Sequence, residues 1–423
     1  MRMLGLLAML ALSSTIALAQ APEPAAPGAT PASWSFGGEV RLQYERFTYE
    51  EWGKEPDDRS GYFLQRVMVR AGRTLGSHAA AHVELKSAVE AGRVGGPRLP
   101  DEDRLDLHQG YVDLRAGAAT LRAGRQELQF GSARLVSMRD LNVRQSFDAA
   151  RVIMFSRSWR VDAFAGRPAT TRVGAIDDVT DHARSLWGVY GVRKPGGAIG
   201  AGLDVYYLGY RRRGARFDSV AGLEQRHTVG IRLWGPPAAV DYNVEAVGQW
   251  GTVGESRIRA WTIASDTGYQ FTSALRPRVS LRADVTSGDR NRDDRTLGTF
   301  NAMFPRGAYF GYIASAGPAN HIDLNPQVAL QTGPVVATAG WLVFWRNERA
   351  DGIYTMGSQL LRSAVGTHSL LVGHSPGVGA TWQVNPRLTV IGHASVFTAG
   401  PFIRETGSTD DSTFLRASVT YRF

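Results

Sequence analysis

Val279-Ser280-Leu281-Arg282-Ala283-Asp284-Val285-Thr286 alternates apolar and polar residues without a break. Successive side chains of a β-strand point to opposite faces. Val279, Leu281, Ala283 and Val285 therefore share one face, and Ser280, Arg282, Asp284 and Thr286 the other. The same period of two runs through Glu39 to Glu45, His82 to Lys86, Asp323 to Gln331 and the closing stretch Leu415 to Phe423. No sustained apolar stripe at i, i+3, i+4, i+7 follows the N-terminal segment, which argues against helices. Aliphatics on one face and charges on the other suit a strand with lipid on one side and water on the other.

The punctuation between these segments comes in two alternating sizes. Lys194-Pro195-Gly196-Gly197, Gly235-Pro236-Pro237, Thr332-Gly333-Pro334 and Asn385-Pro386-Arg387 are tight-turn sequences that preset hairpin dihedrals. Glu50 to Ser60, Gly92 to Asp103, Pro168 to Ala183, Arg211 to Gly222, Gly288 to Ala319, Asn347 to Leu371 and Pro401 to Ser412 are long and polar. This segmentation predicts about eighteen strands, with boundaries good to a few residues. They begin near Ser35, Tyr62, His78, Leu105, Ala119, Ala149, Trp159, Ser185, Ile199, Arg226, Val240, Ile258, Arg278, Ile322, Val335, Val378, Leu388 and Ser412. The fold class expected is all-β: a transmembrane antiparallel β-barrel with short periplasmic turns and long extracellular loops. A free sheet edge in lipid would leave a row of unpaired backbone groups at several kcal/mol each, so the sheet must close. A barrel this wide keeps an aqueous channel. Trp34, Tyr62, Trp159, Trp187, Tyr190, Tyr210, Trp234, Trp250, Trp261, Trp345 and Trp382 are expected in interfacial girdles.

The ends set the compartment. Met1-Arg2-Met3 carries one positive charge, Leu4 to Leu12 is apolar, and Ala17-Leu18-Ala19 gives a small-residue cleavage site. Residues 1–19 read as a secretory signal peptide, 20–33 as an Ala/Pro-rich periplasmic linker without a core, and 34–423 as one outer-membrane barrel. The chain has no Cys, which excludes disulfides and a lipid anchor on an N-terminal Cys. No later stretch approaches the roughly 18 apolar residues of a membrane helix. The final Tyr421-Arg422-Phe423 is the kind of terminus that outer-membrane assembly machinery reads. The outer membrane of a Gram-negative bacterium follows as the expected location, with lipid and lipopolysaccharide as surroundings. Arg211-Arg212-Arg213 is either a contact for lipopolysaccharide phosphates or an emerging polymer, or a solvated loop tip.

The formal net charge is +9, and only Lys54, Lys86 and Lys194 among 48 basic residues are lysine. Arginine grips carboxylate with a planar fork that lysine lacks, although a GC-rich genome would also favour it. A lone charge facing lipid costs about 2–4 kcal/mol near mid-membrane, so strand charges should point inward. Arg66, Arg70, Arg125, Arg151, Arg282 and Arg416 are candidate lumen cations, and Asp106, Asp148, Asp241, Glu245, Asp284 and Asp323 candidate lumen anions. The same pairs could equally brace the wall.

Gly124-Arg125-Gln126-Glu127-Leu128-Gln129-Phe130-Gly131, Arg134-Leu135-Val136, Asn142-Val143-Arg144 and Ser146-Phe147-Asp148-Ala149-Ala150-Arg151 resemble the signature of the alginate-export family of outer-membrane porins. Phe300 to Gly311 resembles that family's long extracellular loop. The resemblance covers the mature chain. It implies an eighteen-strand barrel whose arginine-lined constriction conducts an anionic polysaccharide, and it places Arg125, Asp148 and Arg151 in the lumen near the constriction.

Two other functions compete: an uptake porin for small organic anions, and a barrel hydrolase using His227, His393 or His374. No H-E-x-x-H, G-x-S-x-G or phosphate-binding loop is present, so no enzyme activity, cofactor or nucleic-acid partner is expected. Asp289-x-Asn291-x-Asp293 starts like a calcium loop, but Asp294 and Phe300 occupy the positions of its Gly and Glu. No metal site is therefore assigned.

Overall fold

The alternation of Val279 to Thr286 is realised as two faces. Val279 and Leu281 are 48% and 45% exposed, whereas Arg282 and Asp284 are 8% and 0%. In this computed structural model, which describes residues 33–196, 200–235, 239–313 and 315–423, the pattern repeats around a closed sheet. The expected signal peptide and the linker up to residue 32 lie outside the described residues. So do Gly197, Pro236 and Pro237 of two expected turns, and the expected strand start at Ile199.

Eighteen long strands form the barrel. In chain order they are β1 Trp34–Thr48, β2 Asp58–Leu75, β3 Ala79–Ala91, β4 Asp103–Ala116, β5 Ala119–Gln126 and β6 Phe147–Phe155. Then come β7 Trp159–Thr170, β8 Arg184–Arg193, β9 Gly202–Arg216, β10 Ala221–Trp234, β11 Val240–Val253 and β12 Ser256–Gln270. The circuit ends with β13 Arg278–Thr286, β14 His321–Thr332, β15 Val335–Trp345, β16 Leu371–Asn385, β17 Leu388–Ala399 and β18 Ser412–Arg422. Each pairs antiparallel with the next, and β18 returns to β1 with Glu39 opposite Arg422. The seam is clamped at its end. Gly38 N–H donates to the Phe423 carbonyl at 2.9 Å, and Phe423 N–H donates back at 3.1 Å.

Connections at one rim are short, as at 76–78, 117–118, 333–334 and 386–387. At the other rim most are long, the longest being 287–320 and 346–370, while 254–255 is a tight turn. The expected polar loop from Arg211 to Gly222 shrinks to residues 217–220, because β9 and β10 continue past the membrane level. Residues 127–146, between β5 and β6, form a long connection that period-two reading did not separate from the strands.

The outward face carries Leu42, Val69, Val229, Ile263, Leu324, Val378 and Val419, each at least 41% exposed. A continuous apolar belt of this kind is far larger than a water-soluble monomer tolerates. Aromatic girdles flank it, and glycines make room for them: a Cβ on Gly209 would lie 2.1 Å from the Trp187 ring. Four residues expected in the girdles face inward instead. Tyr62, Tyr190 and Tyr210 are at most 3% exposed, and Trp234 donates its indole N–H to Asp204 at 2.9 Å. Each has a polar partner or an inward-folded loop to pack on, which lipid cannot supply.

Candidate functional site: the constriction of the bore

The connection 127–146 turns into the barrel rather than standing above it. Its sequence explains why. Leu128, Phe130, Leu135, Val136 and Met138 are apolar but do not alternate, so no strand could bury them. Leu128, Phe130, Leu135 and Val136 pack inside against Phe147, Phe164, Leu208, Phe300, Met303 and Phe304, and Met138 is buried. Phe164, Phe130, Tyr190 and Tyr206 stack in series with centroids 4.9, 5.0 and 4.8 Å apart. Gly131 has φ 53°, and a Cβ there would sit 2.1 Å from the Tyr190 hydroxyl, so the turn into the bore requires glycine.

Polar residues tie the loop across the lumen. Ser132 Oγ donates to Glu245 on β11 at 2.6 Å. Arg134 reaches Asp284 on β13 at 2.6 Å and the Tyr309 hydroxyl at 2.7 Å. Phe304 N–H donates to Leu135 O at 2.9 Å, joining the loop to a second inward segment from 287–320. On the far side Asp140 accepts from Arg66 and Arg144, both at 2.8 Å, with Arg41 3.7 Å away. Asn142 donates to the carbonyls of Gln65 and Asp101 at 3.2 and 2.7 Å. Burial alone would raise the Asp140 pKa. The Arg66, Arg144 and Arg41 guanidiniums outweigh it and hold the carboxyl well below its usual range.

The expected site residues divide accordingly. Arg66, Arg282, Asp284 and Arg416 face the bore and meet the inward-folded segments at Asp140, Tyr309, Arg134 and Tyr312 respectively. Arg70 faces the bore below them, with Glu84 3.9 Å away. Arg151 also faces inward but is locked to Asp162 at 2.7 Å. Arg125 and Asp148 are corrections. They occupy the register opposite to that of Arg122 and Arg151, pair with each other at 2.8 Å, and sit beside Thr180 in the extracellular rim of the wall. The bond to Thr180 and a bidentate carboxylate satisfy them there, so neither needs the lumen. Sequence reading missed Arg41, Arg134, Asp140, Arg144 and Arg306 as site residues. The signal available was the unpatterned apolar run around Arg134, which no lipid-facing strand explains.

Four of these arginines are incompletely matched. Among the described residues, Arg306 and Arg416 have no carboxylate partner, and Arg41 and Arg282 approach theirs only at 3.7 and 3.6 Å. Arg41 Nε, Arg282 Nε and Nη2, Arg306 Nε and Arg416 Nε are enclosed without a hydrogen-bond acceptor. Burial and the nearby Arg282 and Arg134 push the Arg306 guanidinium down to about 10. Aromatic rings lie alongside: Arg416 is 4.4 Å from the Tyr312 centroid, Arg306 5.4 Å from Tyr309 and Arg282 5.7 Å from Phe310.

Among the described residues two clusters have metal-ligand spacing, Asp284–His321–Asp323 and Asp103–Asp106–Asp178. Each already faces a protein cation. Arg134 and Arg282 adjoin the first, and Lys86 Nζ lies 2.7 and 2.8 Å from Asp103 and Asp178 in the second. The three histidines proposed for a hydrolase are not brought together. His227 and His374 occupy outward registers, while His393 faces the bore beside Tyr312.

A family model described as alginate export matches residues 33–415. No curated protein matches the sequence. Solved structures with the same fold include Pseudomonas aeruginosa OccD3 (OpdP), at 13% identity and TM-score 0.62, covering 94% of this chain and 93% of that one. Acinetobacter baumannii OccAB1 gives 13% and 0.62, covering 92% and 96%. Pseudomonas aeruginosa OpdK, crystallised with vanillate, gives 10% and 0.61, covering 92% and 98%.

Proposed function

The chain belongs to the alginate-export family, and we propose that this outer-membrane channel conducts an anionic polysaccharide, an alginate-like polyuronate, along its arginine-lined bore. The observation that carries the reading is the incompletely matched set Arg41, Arg282, Arg306 and Arg416. A guanidinium without a full carboxylate complement can take a uronate carboxylate in a two-pronged contact. Tyr309, Phe310 and Tyr312 offer flat faces beside those contacts for sugar rings. Conduction also needs contacts that release, and several partial sites in series do so where one saturated site would trap.

The test is single-channel recording in planar bilayers with uronate oligomers on one side. The oligomers should block the current reversibly. Arg282→Ala with Arg416→Ala should abolish the block and shift the reversal potential away from anion selectivity. Arg151→Ala, which breaks a wall pair away from the unmatched set, should leave the block in place. A second reading, uptake of small organic anions, draws on the fold shared with OpdK and on the loop segments that narrow the bore. Block by vanillate-sized carboxylates but not by uronate oligomers would put that reading first, and block by neither would remove both.

A further inference from the structure

We propose that the outer wall of β10–β12 carries a binding site for the phosphorylated headgroup of an outer-leaflet glycolipid, the phosphates of lipid A. A groove on that wall is lined by Gln225, His227, Trp250, Thr252, Arg257 and Arg259. Register places these residues in tiers. His227, Trp250 and Arg259 lie side by side in one row, and Gln225, Thr252 and Arg257 in the row above, towards the extracellular rim. Below them come Trp261, then Ile231 and Ile263, which are 40%, 48% and 52% exposed. An amphiphile meeting this surface finds aliphatic, aromatic and cationic levels in the order of acyl chain, interface and phosphate.

The floor is rigid. The Tyr207 hydroxyl and His227 Nδ1 lie 2.7 Å apart, and the His227 ring stacks on Trp250 with centroids 5.6 Å apart. The cations are free. Arg257 and Arg259 are exposed, and neither side chain has an ion pair or hydrogen bond among the described residues. Glu255, at the tip of the same hairpin, pairs with neither. Arg211 on β9 stands opposite Gln225 in the upper row and is likewise unpaired, which extends the basic edge. A second outer-wall groove, between β16 and β1, holds a single cation, Arg46. Two guanidiniums side by side match a phosphate monoester, whereas one does not distinguish it from any other anion.

The experiment uses the full barrel folded in detergent and titrated with bisphosphorylated lipid A. Arg257→Ser with Arg259→Ser should bind it roughly thirtyfold more weakly, at about a factor of five per guanidinium near an anionic surface. Arg46→Ser should bind as the parent does. Both altered side chains are exposed, so strand content and bilayer conductance should be unchanged. Equal affinity of the double variant would overturn the site, as would equal binding of dephosphorylated lipid A or of phosphatidylglycerol micelles. The site rests on the outer-membrane placement of the barrel but not on its cargo. Normal uronate block without lipid A binding would remove this site and leave the channel reading standing.

Discussion

The bore has two unlike walls. From β1 to β7 most of its inward charges, Arg41 apart, are locked in pairs: Arg66 with Glu39 at 2.5 Å, Arg122 with Asp113 at 2.8 and 2.9 Å, and Arg151 with Asp162 at 2.7 Å. In the periplasmic half of β14 to β16 the inward registers hold Gln327, Ala329, Thr338, Gly340, Gly377, Gly379 and Thr381, uncharged and mostly small. An enclosed guanidinium held by a carboxylate is stabilised against its own desolvation and has little left for a passing anion. A wall of small neutral residues offers no grip at all. On the proposed reading, selectivity resides where the walls meet. The unmatched arginines lie there: Arg282 on β13, Arg416 on β18, Arg41 on β1, and Arg306 on the loop segment between. On that same proposal, bracing falls to the paired charges, sliding to the neutral residues and selection to the seams.

The largest effect should come from cutting the tie between the constriction loop and the charged wall. Asp140→Ala leaves Arg41, Arg66 and Arg144 without their common carboxylate, a loss of about 3–5 kcal/mol for an uncompensated enclosed charge. The unfolding temperature should fall, and single-channel conductance should rise as the loop leaves the bore. Unchanged conductance would mean that the loop does not set the bore width. Next in size is the bracing pair. Arg122→Ala and Asp113→Ala should each destabilise the barrel, and the double variant should lose less than their sum, by about 1–3 kcal/mol of coupling. Ion selectivity should not move. A shifted reversal potential would show that the charged wall also selects.

The neutral wall gives the converse test. Thr338→Asp adds an exposed carboxylate to the bore and should change stability by no more than about 0.5 kcal/mol. It should nevertheless weaken uronate block several-fold and reduce anion selectivity. If block is indifferent to a charge there, cargo does not travel along β14 to β16.

Period two made the barrel legible. Fourteen strand starts can be paired with those read from sequence to within about three residues, because a half-wetted sheet enforces strict alternation. The larger errors, at Ala221 and Leu371, fall where polar strand ends continue beyond the membrane and alternation loses its lipid-facing half. The site was less legible, for two reasons. Alternation gives the face of a residue but not its partner, so Arg151 and Arg282 read alike although one is locked and the other is not. And Arg125, one register out of step with Arg122, is recognisable as a wall residue only once its strand phase is known. The inward loop carried its own signal in the unpatterned run Leu128 to Met138, yet its destination depends on partners more than 100 residues away, such as Glu245 and Asp284.

The smallest predicted effect is a pH response of the extracellular connection 346–370. Burial, with a smaller push from Asp289, raises the Asp351 carboxyl to about 6, although Thr299, Tyr354 and the Asp289 N–H all donate to it. A carboxyl whose folded pKa exceeds its unfolded value binds more protons in the folded state, so its contribution to stability declines as pH rises from about 4 through about 6. Asp101, raised to about 6 by burial, acts in the same direction on the 92–102 loop. Asp140 does not interfere in this window, because its depressed pKa costs stability only at lower pH. Amide exchange across residues 351–355, corrected for intrinsic rates, should therefore be faster at pH 7.5 than at pH 5. Asp351→Asn, which keeps an acceptor but cannot titrate, should flatten the difference. A response that persists in that variant would assign the titration to another group.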